Sequence, residues 1–192
     1  MIIEKKISKH LTKIEKVMLF LLYAGKCEPI TGKTKLQKEM FLVANYLDDI
    51  KNEASYLPHN HGAYSEVVEL TMDRLKSYEL AEEKGNNFII SRLGKRVINI
   101  IEKDLSNDEK EAISDFKEFM NQMTYMESLV YSYFSFPEFT TDSTIIEKVK
   151  QNRVKCGLSM YKRGIINLEK AAFISDLSPK NFIGKLKNDK TS

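Results

Sequence analysis

The sequence predicts a mainly α-helical protein with a small β-hairpin wing, and segment 64–103 is the main reason. Apolar residues recur there at helical spacing over YSEVVELTMDRLKSYEL, the run AEEKGNNFIIS follows, and a second helical pattern begins at RLGKRVINIIEK. Gly85 and the two asparagines after it tolerate positive φ and predict a tight turn, and FII is rich in β-formers. Helix, hairpin and helix in this order are typical of the end of a winged helix-turn-helix. The alternative is an unrelated helix followed by a hairpin.

Two more helices are predicted before this segment. Apolar residues spaced by three or four predict a helix over residues 7–23, which ends at Gly25. The loop CEPITG leads to a second helix over residues 34–47. Together with the hairpin, these helices predict a winged-helix domain that covers residues 1–104.

The middle of the chain is acidic and helical. Ser106 followed by Glu109 forms a capping-box pattern that opens a helix, and the apolar stretch MESLVYSYF stops at Pro137. Residues 101–150 carry five Lys or Arg against eleven Asp or Glu. We expect a helical linker or packing segment over residues 105–143.

The C-terminal part predicts a helix-turn-helix over residues 144–192. A helix of about residues 144–163 is followed by two short helices, 168–175 and 179–187. Ser178 is suited to cap the last helix, and the proline after it is suited to the first helical position. Two short helices joined by a turn of three or four residues are typical of this motif.

Composition describes a globular chain and excludes several classes of protein. Hydrophobic residues make up 42% and charged residues 30% of the 192 residues. The longest apolar run, residues 17–24, is far shorter than the roughly 20 residues that span a bilayer. The N-terminal residues lack the pattern of a signal peptide. Two cysteines make no disulfide framework, so we expect a cytoplasmic protein.

No pattern predicts catalysis, a cofactor or a metal. CEPITGKT is similar to a phosphate-binding loop, but Cys27 replaces its first glycine and a helix precedes it instead of a strand. His59 and His61 are closely spaced, yet no cysteine or further ligand set accompanies them. No serine or cysteine lies in a nucleophile motif. The sequence therefore predicts a non-enzymatic protein with no catalytic residues and no metal site.

Positive charge near the C-terminus favours DNA binding. Residues 151–192 carry nine Lys or Arg against three Asp or Glu. The second helix of a helix-turn-helix enters the major groove, where Lys and Asn can meet base edges or phosphates. The alternative is a solvated, lysine-rich tail. The candidate DNA-binding residues are Lys180, Asn181, Lys185, Lys187, Arg163 and Lys162.

The charge of the winged helix favours a protein partner instead. Its presumed recognition helix carries Glu66, Glu69 and Asp73, and carboxylates repel phosphates. The wing could still touch a DNA backbone through Lys84, Asn86, Asn87, Arg92 and Lys95. The candidate partner-binding residues are Lys35, Gln37, His59, His61, Tyr64, Glu66, Glu69 and Asp73.

Three short motifs lie between the first helix and the middle of the chain: TKLQK from Thr34 is followed by Phe41 and Leu42, PHNHGAYS starts at Pro58, and YSYFSFPEFT starts at Tyr131. These motifs resemble the Panacea domain, the group of SocA-like and YwgA-like proteins. The resemblance covers about residues 10–145 and departs at Ala63, where the family usually has proline. It implies a winged-helix-like fold and, for some members, neutralisation of a toxin-like protein partner.

The tail is similar to short prokaryotic antitoxin-like proteins. LSMYKRGIINLEKAA from Leu158 matches their pattern, which Leu177, Ser178 and Phe182 continue. Asn167 stands where they usually have serine, and both residues are suited to a cap. This resemblance implies a small helix-turn-helix.

We therefore expect a non-enzymatic regulator, either a transcription factor or an antitoxin. Its C-terminal helix-turn-helix would bind duplex DNA, and its winged-helix domain would bind a protein partner. The alternative is a protein-binding adaptor that does not bind DNA, and an enzyme with an unrecognised site is the third hypothesis. A homodimer is a further expectation, because helix-turn-helix proteins often dimerise to read two half-sites.

Overall fold

The computed structural model describes residues 2–188 and is mainly helical, with one three-stranded antiparallel sheet. The described chain divides into two compact units. Unit 1 holds residues 2–57 and 64–120, and unit 2 holds residues 58–63 and 121–188. Within residues 2–188, no helix combines the length and the apolar character that crossing a membrane requires.

Unit 1 contains most of the helices and the whole sheet. The strands lie in the order β1-β3-β2, and Ile30 pairs with Phe88 across β1 and β3. The helices are α1 (Ile2–Ser8), α2 (Lys13–Cys27), α3 (Lys33–Tyr46), α4 (Asp48–Ala54), α5 (Glu66–Ser77), α6 (Arg92–Ile101) and α7 (Asn107–Asn121). The strands are β1 (Ile30–Thr31), β2 (Ala81–Lys84) and β3 (Asn87–Ile90).

The helix expected over residues 7–23 is two helices. Thr12 caps the N-terminus of α2, and its side chain and that of Glu15 form a reciprocal capping box. This box satisfies backbone N–H groups that a continuous helix would bond internally, so it starts a new helix. α4 and the two-residue strand β1 were also absent from the sequence prediction.

The hairpin has the predicted position and a close junction with α6. Lys84 pairs with Asn87, and Gly85 in the turn has a φ of 61°. Ser91 caps α6 by accepting a hydrogen bond from the Gly94 N–H at 2.9 Å. A Cβ on Gly94 would lie 2.2 Å from the carbonyl oxygen of Leu80. Glycine is therefore required where α6 meets the hairpin.

The hydrophobic core of unit 1 forms around α2. Val17, Met18 and Leu21 are fully buried, and α2 packs against α4, α5, α6 and β3. The core also takes in Ile113 from α7, and Phe116 packs against it. This apolar stripe explains why α7 belongs to unit 1, within the region 105–143 that the sequence predicts as a helical linker or packing segment.

Unit 2 is a set of helices packed around α9. They are α8 (Tyr125–Ser135), α9 (Ile146–Lys162), α10 (Leu168–Ser175) and α11 (Pro179–Asn188), and α9 packs against both α8 and α10. A Cβ on Gly157 of α9 would lie 2.2 Å from Ser175 Oγ of α10, so the two helices approach closely there. Gly164, with a φ of 72°, follows α9 as the sequence predicts for a helix C-terminus.

The short segment 58–63 belongs to unit 2, whereas the residues directly before and after it belong to unit 1. Leu57 and Tyr64, which flank it, exchange two backbone hydrogen bonds of 2.9 and 3.0 Å. Within unit 2, the Asn60 carbonyl accepts a hydrogen bond from the Thr144 N–H at 3.2 Å. The PHNHGA part of the motif that starts at Pro58 is therefore a loop that belongs to unit 2, and the two residues that flank it pair with each other in unit 1.

Candidate functional site

The predicted pair of short C-terminal helices is present as α10 and α11, joined by residues 176–178. Asn167 caps α10 by accepting a hydrogen bond from the Lys170 N–H at 2.8 Å. Ser178 Oγ accepts one from the Asn181 N–H at 3.3 Å at the start of α11. Asp176 ends α10 in the left-handed conformation, with a φ of 59°.

A single aromatic side chain anchors α11 to unit 2. Phe182 is fully buried, and its ring meets that of Tyr161 edge-on, with centroids 5.7 Å apart. Leu186 is half-buried on the same side of the helix. The remaining surface of α11 is solvent-exposed and basic, and it carries Lys180, Asn181, Ile183, Gly184, Lys185 and Lys187.

Arg153 of α9 holds the turn between α10 and α11. Its Nε donates a 2.7 Å hydrogen bond to the Ile174 carbonyl, and Nη1 lies 3.1 Å from Asp176 Oδ2. The guanidinium also stacks on Phe134, 3.9 Å from the ring centroid. The sequence shows that Arg153 is positively charged, but it does not predict that this side chain binds the turn and stacks on Phe134.

The other candidate cations of unit 2 lie at the end of α9. Arg163 donates a 2.7 Å hydrogen bond from Nη1 to the Gln122 carbonyl, and Nη2 forms an ion pair with the buried Glu127. Its guanidinium therefore has a structural role in addition to any role with DNA. Lys162, beside it, is exposed.

In the wing, part of the polar surface is used to build the sheet. The Asn86 carbonyl accepts a 2.7 Å hydrogen bond from Gly32, and Asn87 Oδ1 accepts one of 2.7 Å from Thr31. Lys84 is exposed and pairs with a neighbouring glutamate at 2.8 Å. Arg92 and Lys95 are also exposed, but they lie on α6.

The acidic residues of α5 are largely paired with lysines. Glu69 forms an ion pair with Lys33 and accepts a 2.6 Å hydrogen bond from the Tyr64 hydroxyl. These contacts lower the pKa of Glu69, and the bond to Glu69 raises the pKa of Tyr64 to about 12. Asp73 lies 2.9 Å from Lys76. Within the described part of the chain, Glu66 alone of the three carboxylates has no ion-pair partner.

Two candidates on α3 are structural, and two others lie in the other unit. The buried Gln37 amide donates to the Ser65 carbonyl at 2.8 Å and accepts from the Ser65 N–H at 3.0 Å. Lys35 lies 3.7 Å from the buried Glu39. His59 and His61 are exposed on the segment of unit 2. The predicted partner-binding residues therefore belong to two separate units.

Unit 1 also buries charged side chains that the sequence analysis did not identify. Lys117 is fully buried and donates a 2.9 Å hydrogen bond to the Leu21 carbonyl near the end of α2. Burial lowers its pKa, and burial also lowers the pKa of Lys38 to about 7. Glu39 is fully buried, and within residues 2–188 its carboxylate makes no hydrogen bond. Burial raises the pKa of Glu39 to about 7.

A signal for Glu39 was available in the helical pattern. It lies three residues after Leu36 and four before Val43, so it shares the apolar face of α3. Lys117 has a similar position on α7, four residues after Ile113 and three before Met120. Spacing alone does not reveal that a lysine of α7 lies near a glutamate of α3.

In the part of the chain that the structure describes, no three His, Cys, Asp or Glu side chains are placed to hold a metal ion. Cys156 is buried, and burial raises the pKa of its thiol to about 11. This thiol is therefore poorly suited to act as a nucleophile near neutral pH.

No family model, curated protein or solved structure matches this chain. The resemblances to the Panacea domain and to the antitoxin-like proteins therefore stay predictions from sequence.

Proposed function

We propose that this protein is a non-enzymatic regulator that binds duplex DNA through α10 and α11, while unit 1 is a winged helix that binds a protein partner. The single observation that carries the DNA proposal is the surface of α11. This helix buries Phe182 and leaves a basic face in solvent. A helix held on one side and charged on the other is suited to enter a groove.

The order of residues along α11 supports this function. Lys180 and Asn181 lie in its first turn, the part of a recognition helix that reaches base edges. A lysine can donate to guanine O6 and N7, and an asparagine can pair with adenine through two hydrogen bonds. Lys185 and Lys187 follow near the end of the helix, where an ammonium group can contact phosphates.

Gly184 lends independent support. It lies in the interior of α11, and a Cβ built on it would meet no atom of residues 2–188 within 4 Å. A glycine at such a position costs up to about 1 kcal/mol of helix stability relative to alanine. Packing within unit 2 does not require a glycine at position 184. Close approach of the helix backbone to a ligand would favour one, because glycine has no side chain in the way.

The topology of unit 1 supports the winged-helix proposal. The elements run α2, β1, α3, α4, α5, β2 and β3, and β3 lies between the other two strands. Apart from the short helix α4, a winged helix-turn-helix has this order of helices and strands, with a hairpin as the wing. In this arrangement α5 corresponds to the recognition helix.

The surface of α5 favours a protein partner over DNA. Two of its three carboxylates, Glu69 and Asp73, are paired with lysines, which lowers its negative charge but leaves it without a positive face. Leu70 is 54% exposed on the same helix and would offer an apolar contact to such a partner. The proposed regulator, a transcription factor or an antitoxin, would act in the cytoplasm.

A binding assay with matched variants tests the DNA function. Fluorescence anisotropy with a labelled 30-base-pair duplex of random sequence would measure affinity at about 50 mM salt, where phosphate contacts are strong. We expect Lys180→Ala with Lys185→Ala to weaken binding about tenfold or more. The control is Lys51→Ala with Lys148→Ala, which removes the same charge from exposed positions on α4 and α9.

Equal losses in the two double variants would mean that binding follows net charge and not α11. Absence of binding by the unmodified protein would remove the DNA function and leave the protein-binding adaptor. Co-purification under gentle conditions tests for the partner of unit 1, and Leu70→Glu is expected to abolish it.

A further inference from the structure

A cleft in unit 1 gathers lysines from elements that are distant in sequence. It has a volume of about 630 Å³, within the range of roughly 300–1,000 Å³ that small-molecule sites occupy. Its cationic lining comes from α1, from the residues after it, from α2 and from the turn that follows α6. These residues are Lys5, Lys6, Lys9, Lys16 and Lys103, and His10 lies beside them in the lining.

Most of this positive charge is uncompensated. Asp104 is the acidic residue of the lining, and its Oδ2 already lies 2.7 Å from Lys16 Nζ. Within residues 2–188, the other lysines of the cleft form no ion pair. Like charges lining a concave surface repel one another and raise the local positive potential. A bound anion would relieve that repulsion and stabilise the folded state.

The framework of the cleft is fixed by contacts behind the lysines. α1 packs on α6, and Arg96 Nε lies 2.9 Å from Oε1 of Glu4, whose side chain is 12% exposed. Ser8 Oγ donates a 3.0 Å hydrogen bond to the Lys5 carbonyl. The charge of Arg96 is therefore used to hold α1, and the lysines of the cleft extend from a defined backbone.

The chemistry of the lining selects the class of ligand. Ile100 supplies the apolar part, and among the described residues no phenylalanine, tyrosine or tryptophan lines the cleft, so that the imidazole of His10 is its one ring. Ammonium groups are compact point charges with three donors, and they bind phosphate without demanding a planar partner. Several of them in one cleft match several phosphates held close together better than a single carboxylate.

We propose that this cleft binds the phosphoanhydride chain of a polyphosphate ligand and recognises its charge without reading a base. The chain could belong to a nucleoside triphosphate or to inorganic polyphosphate. This site lies in unit 1 and does not depend on the DNA function of α11.

Isothermal titration calorimetry at low salt, with sodium tripolyphosphate, ATP and AMP as probes, tests the proposal. We expect one tripolyphosphate per chain, comparable affinity for ATP, and at least tenfold weaker binding of AMP. The variant with Lys6→Ala, Lys9→Ala and Lys103→Ala should lose at least tenfold in affinity for tripolyphosphate. A charge-matched control with Lys51→Ala, Lys148→Ala and Lys155→Ala should stay within about twofold, because salt screens distant exposed charges.

Thermal unfolding provides a readout that does not depend on heat of binding. Tripolyphosphate should raise the Tm of the unmodified protein and of the control more than that of the cleft variant. No binding by the unmodified protein, or an equal loss in the two triple variants, would overturn the proposal. ATP that binds more than tenfold tighter than tripolyphosphate would overturn it as well, because a nucleoside would then be recognised.

Discussion

Replacement of Glu39 by glutamine tests whether the buried carboxyl group of α3 governs the stability of unit 1. Burial raises the pKa of Glu39 to about 7, against an ordinary value of 4.5. The groups that face it are Lys35, 3.7 Å away, and the buried Lys117. Glutamine has nearly the same shape and stays neutral, so it mimics the protonated side chain at every pH.

The sign follows from proton binding in the two states. Between pH 4.5 and 7 the folded protein holds a proton on Glu39 that the unfolded chain releases, so this group lowers stability as pH rises. Its contribution is fully present below pH 4.5 and is lost as pH rises through 7. At about 1.4 kcal/mol per pKa unit, the stability of Glu39→Gln relative to the unmodified protein should increase by roughly 2–3 kcal/mol from pH 5 to pH 8.

Urea unfolding followed by far-ultraviolet circular dichroism at both pH values measures this difference. Glu66→Gln is the matched control, because it makes the same substitution at an exposed position at the start of α5. A stability of Glu39→Gln relative to the unmodified protein that stays constant or falls from pH 5 to pH 8 would refute the reasoning. That result would mean that an ionised Glu39 and a charged Lys117 stabilise the core as a pair.

Three further predictions concern unit 2. Gly157→Ala should lower its stability by about 1–3 kcal/mol in urea unfolding, because the new Cβ would overlap Ser175 Oγ, and a neutral result would contradict the close approach of α9 and α10. Arg153→Met should lower the free energy of unfolding by about 2 kcal/mol in the same assay, because it removes the hydrogen bonds that hold the turn at Asp176. Unchanged stability would show that the turn does not depend on Arg153. Gly184→Ala should raise the Tm by stabilising α11 by up to about 1 kcal/mol yet weaken duplex binding in anisotropy. Unchanged affinity of Gly184→Ala for the duplex would argue against close approach of the α11 backbone to DNA at this position.

Local signals account for the parts of the structure that the sequence predicted well. Asn167 as a cap fixes the start of α10, and the Ser-Pro pair at 178 and 179 fixes the start of α11. The sequence GNN sets the turn of the wing, because glycine adopts the positive φ that the turn requires. These features depend on residues within a few positions of one another.

Long-range pairing accounts for what the sequence did not predict. β1 has two residues, too few for a periodic pattern, and it forms because Ile30 meets Phe88 on β3. The buried charges depend on α7 folding back to the end of α2, where Lys117 reaches the Leu21 carbonyl. The lysine cleft likewise depends on α1 meeting α6, about ninety positions later.

The break before α2 is a different case, because its signal was local. Thr12 followed three residues later by Glu15 is a capping-box pattern. Apolar residues at helical spacing continue across this position and predicted one helix over residues 7–23. The cap at Thr12 instead begins a separate helix there. Capping residues therefore define the start of this helix better than periodicity does.

The salt dependence of duplex binding tests the central claim most directly. Each phosphate contact changes the slope of log K against log salt by about 0.9. We predict that Lys180→Ala with Lys185→Ala lowers the magnitude of that slope by about 2, while Lys51→Ala with Lys148→Ala leaves it unchanged. A slope that is the same in the unmodified protein and in both variants would contradict DNA binding through α11.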